Sequence, residues 1–144
     1  MNINESIIFL FSEITNSFWV KLDKAMKEIG LHGGQIFILI SLWGKDKQSQ
    51  TELASNLRIT PPTVNNMVGS LKKSDFIKLN RNPKDRRVVF VSLTEKGVDI
   101  KSNLLEKWSE LEDDFFGCLS ETEKLIILQI FGKMKSRLFD DVES

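Results

Sequence analysis

Two helix starts stand eleven residues apart in this chain, and that spacing restricts its fold more than any other feature. Ser49-Gln50-Thr51-Glu52 is a capping box: the Ser49 hydroxyl can accept from the Glu52 amide, and the Glu52 carboxylate can reach back to the Ser49 amide. Thr60-Pro61 is a second start, because Thr60 can cap and a proline at the first helical position gives up only an amide that has no partner there. The helix from Ser49 must therefore be short, with Leu53, Ala54 and Leu57 as its apolar face, and must end in a turn at Arg58-Ile59. The helix from Thr60 puts Val64, Met67, Val68 and Leu71 on one stripe. Its other face carries Pro62, Thr63, Asn65, Asn66, Gly69, Ser70 and Lys73, which are small, amide or cationic.

Two short β-branched or aromatic stretches follow, Phe76 to Leu79 and Val88 to Leu93, around the turn-rich loop Asn80-Arg81-Asn82-Pro83-Lys84-Asp85-Arg86-Arg87. This pattern predicts a β-hairpin. Residues 58–87 hold eight basic side chains against Asp75 and Asp85, a local +6 inside a chain whose net charge is zero. Residues 1–57 carry −1 and residues 88–144 carry −5. A basic segment of this kind suits a polyanion, although a charge run can equally be a solvated face. Two short capped helices and then a basic hairpin make a helix-turn-helix with a wing. Such a helix fits the major groove of DNA, and the hairpin can follow the phosphates into the neighbouring minor groove.

The flanking segments are apolar beyond one face. Residues 5–29 read as a helix with Ile7, Ile8, Leu10, Phe11, Ile14, Phe18, Leu22 and Met26 at three- and four-residue steps, widened by Phe9 and Trp19 and stopped by Gly30. Thr94 caps a long helix with Val98, Leu104, Leu105, Trp108, Leu111, Phe115 and Phe116. A further capping box, Ser120 to Glu123, opens a last helix with Leu125, Leu128, Phe131, Met134 and Leu138, widened by Ile126, Ile127 and Ile130. Helices apolar on several sides are buried on several sides, more than one chain of this size can supply. Ile36-Phe37-Ile38-Leu39-Ile40, between Gly33-Gly34 and Gly44, is an unbroken apolar run that periodicity reads equally as a buried strand or a buried helix.

Composition excludes several classes. One cysteine rules out an internal disulfide and a multi-thiolate zinc site, and one histidine leaves little for a histidine-built metal site or a triad. There is no G-x-G-x-x-G, P-loop, H-E-x-x-H or G-x-S-x-G, so no enzyme activity is expected. No apolar run is long enough to span a bilayer, and no basic stretch precedes the first apolar segment, so neither a membrane span nor a signal peptide is expected and the location is read as cytoplasmic.

The chain resembles the MarR family of winged-helix transcriptional regulators from about residue 5 to about residue 140. The resemblance is carried by Gln50-x-Glu52-Leu53-Ala54, by Thr63-Val64, and by Asp85-Arg86-Arg87 followed by Val91-x-Leu93-Thr94-x-x-Gly97, the most specific of the three. It implies that the 36–43 run is a helix, giving six helices and a small sheet, and that the chain forms an obligate homodimer with its first and last helices intertwined. The expected fold is mainly α with a small β-hairpin wing: one domain over 1–144, with dimerisation helices at 5–29 and 95–140 around a winged helix-turn-helix lobe at 33–93. Two departures stand out. Asp75 sits where the family has glycine, a position aspartate tolerates in the left-handed conformation, and Leu79 replaces a common basic residue.

The function expected is that of a sequence-specific regulator of double-stranded DNA, a homodimeric repressor on a pseudo-palindromic operator. The alternative is a winged-helix module that contacts a protein partner. The DNA-contacting set is Gln50, Thr60, Pro62, Thr63, Asn65, Asn66, Ser70, Lys73, Arg81, Lys84, Asp85, Arg86 and Arg87. Asn65 and Asn66 can pair with adenine, and Thr63 and Ser70 with phosphate, against the plainer reading of polar surface. On an extended hairpin Asp85 and Arg87 share a face and can pair, leaving Arg86 as the minor-groove probe. Phe11, Phe18, Trp19, Trp43 and Trp108 are candidates to line a pocket for a small aromatic or lipophilic effector, against the plainer reading of ordinary core. Cys118 has acidic neighbours that dull a thiol, and it is read as a small buried or interfacial residue; His32 is read as a helix-start residue; no cofactor or metal is expected.

Overall fold

The computed structural model describes residues 1–140; the last four residues of the expected 1–144 domain lie outside the described residues. The chain divides into two compact units, residues 1–107 and the segment from Trp108 onward.

In the first unit a single 3-10 turn at Ile3–Glu5 leads into α1 (Ile7–Lys27), whose cap is Ser6; its hydroxyl accepts from the Phe9 amide at 3.3 Å. The helix is thus two residues shorter at each end than the expected 5–29. Gly30 leaves it with a left-handed φ of +84°. The ambiguous run is helical: α2 spans Gln35–Gly44 and buries Ile36, Ile38, Leu39 and Leu42. It packs against α3 (Gln50–Leu57), α4 (Pro61–Lys73) and strand β3 (Val89–Leu93), which explains the absence of a polar face.

Only half of the first capping box forms. The Ser49 hydroxyl accepts from the Glu52 amide at 3.0 Å, but the Glu52 carboxylate pairs with Lys45 at 3.3 Å. The Ser49 backbone belongs to a two-residue strand, β1 (Gln48–Ser49), that the local pattern does not reveal. Arg58, left-handed at φ +55°, turns the chain from α3 into α4. Thr60 occupies the cap position of α4 with extended backbone, yet its hydroxyl caps no amide; it meets the Thr63 hydroxyl at 2.9 Å. Asp75 adopts φ +64° after α4, as expected of a residue in a glycine position.

The hairpin of β2 (Ile77–Arg81) and β3 is antiparallel, with Leu79 opposite Val91 and Arg81 opposite Val89. β1 joins the far edge of β3, Gln48 opposite Val91, so the sheet has three strands in the order β1-β3-β2 rather than two. Buried Leu53, Val64, Leu71, Phe76, Ile77 and Val91 complete the core around α2.

Helix α5 (Glu95–Phe116) starts at Thr94, whose hydroxyl accepts from the Gly97 amide at 3.1 Å. In the second unit the Ser120 capping box forms in full: the Glu123 amide donates to the Ser120 hydroxyl at 3.2 Å, and the Ser120 amide donates to the Glu123 carboxylate at 3.0 Å. The Ser120 amide first, and then its hydroxyl, hold the Glu123 carboxyl below its usual pKa. It opens α6 (Glu121–Asp140), which buries none of its residues; Leu125 and Leu128 are 68% and 67% exposed. Among the described residues no helix is long and apolar enough to cross a membrane.

Candidate DNA-binding surface

The two faces of α4 divide as its sequence predicts. Val64, Val68 and Leu71 are buried and hold the helix on the lobe, while Pro62, Asn65, Asn66, Gly69 and Lys73 are exposed. Helical spacing puts Pro62, Asn65, Asn66 and Gly69 on adjacent turns of one face, with no large apolar side chain between them. Thr60 is exposed at the start of the helix, Thr63 is half-buried, and Gln50 is the half-buried first residue of α3. Ser70 departs from the exposed face: it is half-buried, and its hydroxyl accepts from the buried Gln35 amide at 2.6 Å. Gln35 also accepts from the His32 amide at 2.9 Å, so one side chain ties the α1–α2 turn to the back of α4. Gln35 has no pattern in the sequence that marks it; only the packing of α2 against α4 brings it to Ser70.

The wing tip is built from two successive turns. The Asp85 amide donates to the Asn82 carbonyl at 3.2 Å and the Val88 amide to the Asp85 carbonyl at 3.0 Å, while Asn82 and Val88 close the loop at 2.9 Å. The predicted pair is present: Arg87 donates through Nε at 3.1 Å and through a terminal nitrogen at 3.2 Å to the two carboxylate oxygens of Asp85. Its cause differs from the expected alternation along a strand. Asp85 folds back onto the Arg87 backbone amide as well, at 3.1 Å, in a local aspartate turn. The Arg87 side chain first, and then its amide, hold the Asp85 carboxyl below the usual range. Arg81 donates to the Arg86 carbonyl at 2.9 Å and so braces the turn from the strand below. Lys84 and Arg86 are exposed at the tip, and Arg87 stays exposed although it is paired. Of the four wing cations, Arg81 and Arg87 therefore order the wing, and Lys84 and Arg86 project from it.

The candidate effector aromatics fall in both units of the chain. Phe18 and Trp19 meet edge-on with ring centres 5.4 Å apart, and Trp19 meets Phe37 at 6.2 Å. Phe11 is exposed further up α1. Trp43 is held apart by a 2.9 Å bond from its ring nitrogen to the Gly97 carbonyl. Trp108 belongs to the second unit. Cys118 is exposed in this chain, not buried, in the turn between α5 and α6, and His32 is exposed before α2.

A family model described as the transcriptional regulator SarA/Rot matches residues 21–104. Two Bacillus subtilis relatives are each 30% identical to this chain. The uncharacterized HTH-type transcriptional regulator YdcH aligns over 85% of this chain and 86% of its own, and the HTH-type transcriptional repressor MdtR over 77% and 72%. The Staphylococcus aureus MepR–DNA complex superposes with a TM-score of 0.81 at 25% identity, covering 92% of this chain and 98% of that one. The chain belongs to the SarA/Rot transcriptional regulators, a winged-helix family related to MarR, and is a regulator of transcription rather than an enzyme.

Proposed function

We propose that this regulator is a homodimeric repressor that binds a pseudo-palindromic duplex operator in the cytoplasm, laying α4 in the major groove and the 82–88 wing in the minor groove. One observation carries the reading: the exposed Pro62, Asn65, Asn66 and Gly69 face of α4 lies in the same lobe as a pre-ordered cationic wing. A recognition helix must bring amide groups to base edges without bulk in the way, and a wing must present cations to phosphate. Thr60, Thr63, Gln50 and Lys73 are the further DNA contacts of this reading. The likeness to MepR, solved on DNA, and to the repressor MdtR supports the same reading.

Helices 5–29 and 95–140 are the dimerisation elements around the 33–93 lobe. Support comes from the large apolar side chains exposed on α1 and α6, among them Ile7, Ile8, Ile14, Leu125, Leu128 and Leu138. A dimer holds two recognition helices about 34 Å apart, one turn of DNA. A small aromatic or lipophilic effector against the Phe18, Trp19 and Phe37 rings would lower DNA affinity by favouring another spacing.

The test is selection of bound fragments from random duplex DNA, followed by titration of the selected duplex at several salt concentrations. Enrichment of a two-fold symmetric sequence, with affinity falling steeply as salt rises, is the expected result. No enrichment and no salt dependence would favour a protein partner instead.

A further inference from the structure

We propose that Ser74-Asp75-Phe76, where the chain leaves α4, and Thr94 to Gly97, where it enters α5, form a rigid joint that sets the angle of the recognition helix. Thr94 and Lys96 are then positioning residues for DNA binding that touch no DNA. The inference rests on the dimeric DNA-binding reading above.

The amides of Ser74, Asp75 and Phe76 close the end of α4 on the Ser70, Lys72 and Leu71 carbonyls. Here three consecutive carbonyls beyond α4 are taken by the start of α5. Lys96 Nζ donates to the Ser74 carbonyl at 2.7 Å, the Thr94 hydroxyl to the Asp75 carbonyl at 2.5 Å, and the Thr94 amide to the Phe76 carbonyl at 3.1 Å. The same Thr94 hydroxyl accepts from the Gly97 amide, so one oxygen both caps α5 and clamps the exit of α4. Lys96 also lies over the Phe76 ring, 4.4 Å from its centre. Gly97 completes the contact by having no side chain: a Cβ there would fall inside the Phe76 carbonyl. From the other side, the Trp43 ring nitrogen donates to the Gly97 carbonyl and fastens α2 to the same point.

The hairpin that separates α4 from α5 in sequence therefore does not separate them mechanically. A turn of α5 carries α4 with it, and the Leu93-Thr94-x-x-Gly97 motif acquires a physical reason. Since α5 runs on into the dimerisation region proposed above, the joint translates the geometry of the dimer into the spacing of its two recognition helices.

The experiment measures full-length protein on the selected operator and on versions with the half-sites moved by one base pair in either direction. Thr94→Val keeps the shape and deletes both hydroxyl bonds. Lys96→Met deletes the ammonium, and with it both the Ser74 bond and the contact over the Phe76 ring, at an exposed position. Thr94→Val is expected to lose about fivefold or more of the wild-type preference for native spacing, as the loss of such bonds implies. Lys96→Met loses less, and Thr94→Ser restores the preference. A merely structural role would lower the melting temperature and the active fraction without changing the ratio between spacings. Equal spacing preference in wild type and Thr94→Val overturns the joint alone. A wild type that binds no duplex overturns the DNA reading and the joint with it.

Discussion

The winged lobe and helix α6 use apolar residues in opposite ways. In the lobe, Ile36, Leu39, Leu53, Val64 and Val91 are fully buried within one chain. Along α6, Leu125, Leu128, Phe131 and Leu138 are all exposed. The amphipathic face of a lobe helix is matched by a neighbour that the same chain provides, whereas α6 carries a comparable apolar load with no residue buried. The lobe is thus complete as a monomer, while α6 asks for a second surface. An exposed apolar stretch of this extent marks an interaction site in a soluble protein.

The largest effect should come from breaking this contrast at both ends. Leu39→Ala, in the lobe, should cost about 2–5 kcal/mol in urea unfolding, because it removes a fully buried side chain and leaves a cavity. Leu125→Lys with Leu128→Lys should leave the lobe folded but abolish the dimer, which in wild type should scatter light as twice the 16.5 kDa chain mass at micromolar concentration. A stable, soluble wild-type monomer under those conditions would overturn the dimer.

Within the lobe, Asn66→Ala should weaken operator binding by about 1–3 kcal/mol and spare random duplex. An equal loss on both would make Asn66 a backbone contact. The wing should show smaller effects. Arg86→Ala should flatten the salt dependence of binding by about one unit. Asp85→Ala removes a negative charge, so simple electrostatics predicts tighter binding; loss of the Arg87 clamp predicts weaker binding, and the observed wing geometry favours the second. Because the Asp85 carboxyl is depressed by Arg87, its ordering of the wing is complete above the usual carboxylate range and is lost only as the pH falls through the depressed value. The salt slope should accordingly be constant from neutral to mildly acidic pH. The smallest effect belongs to Cys118→Ser, which should keep wild-type operator affinity before and after peroxide; release of wild type alone would show that this exposed thiol is a sensor.

The elements that were legible in the sequence are those written in short-range chemistry. Ser49, Thr94 and Ser120 mark helix starts because a cap acts within one turn, Thr60 marks one because proline follows it at the first helical position, and all four helices begin there. Asp75 could be read as a left-handed residue because the family resemblance puts it at a glycine position, one that aspartate tolerates. The two faces of α4 follow from periodicity, and the charge of the wing follows from counting.

What only the tertiary structure decided involves partners far apart along the chain. Periodicity left 36–40 as strand or helix; the family resemblance implied a helix, and the cover of α3, α4 and β3 on α2 is the physical reason the residues themselves do not show. β1 exists because β3 supplies an edge more than forty residues away. Ser70 faces inward because Gln35 reaches it across thirty-five residues. The joint at Thr94 depends on carbonyls about twenty residues earlier. A local signal needs only the few residues that close a turn, whereas a long-range bond forms only after the loop between its partners has been closed, and no pattern of neighbouring residues encodes that closure.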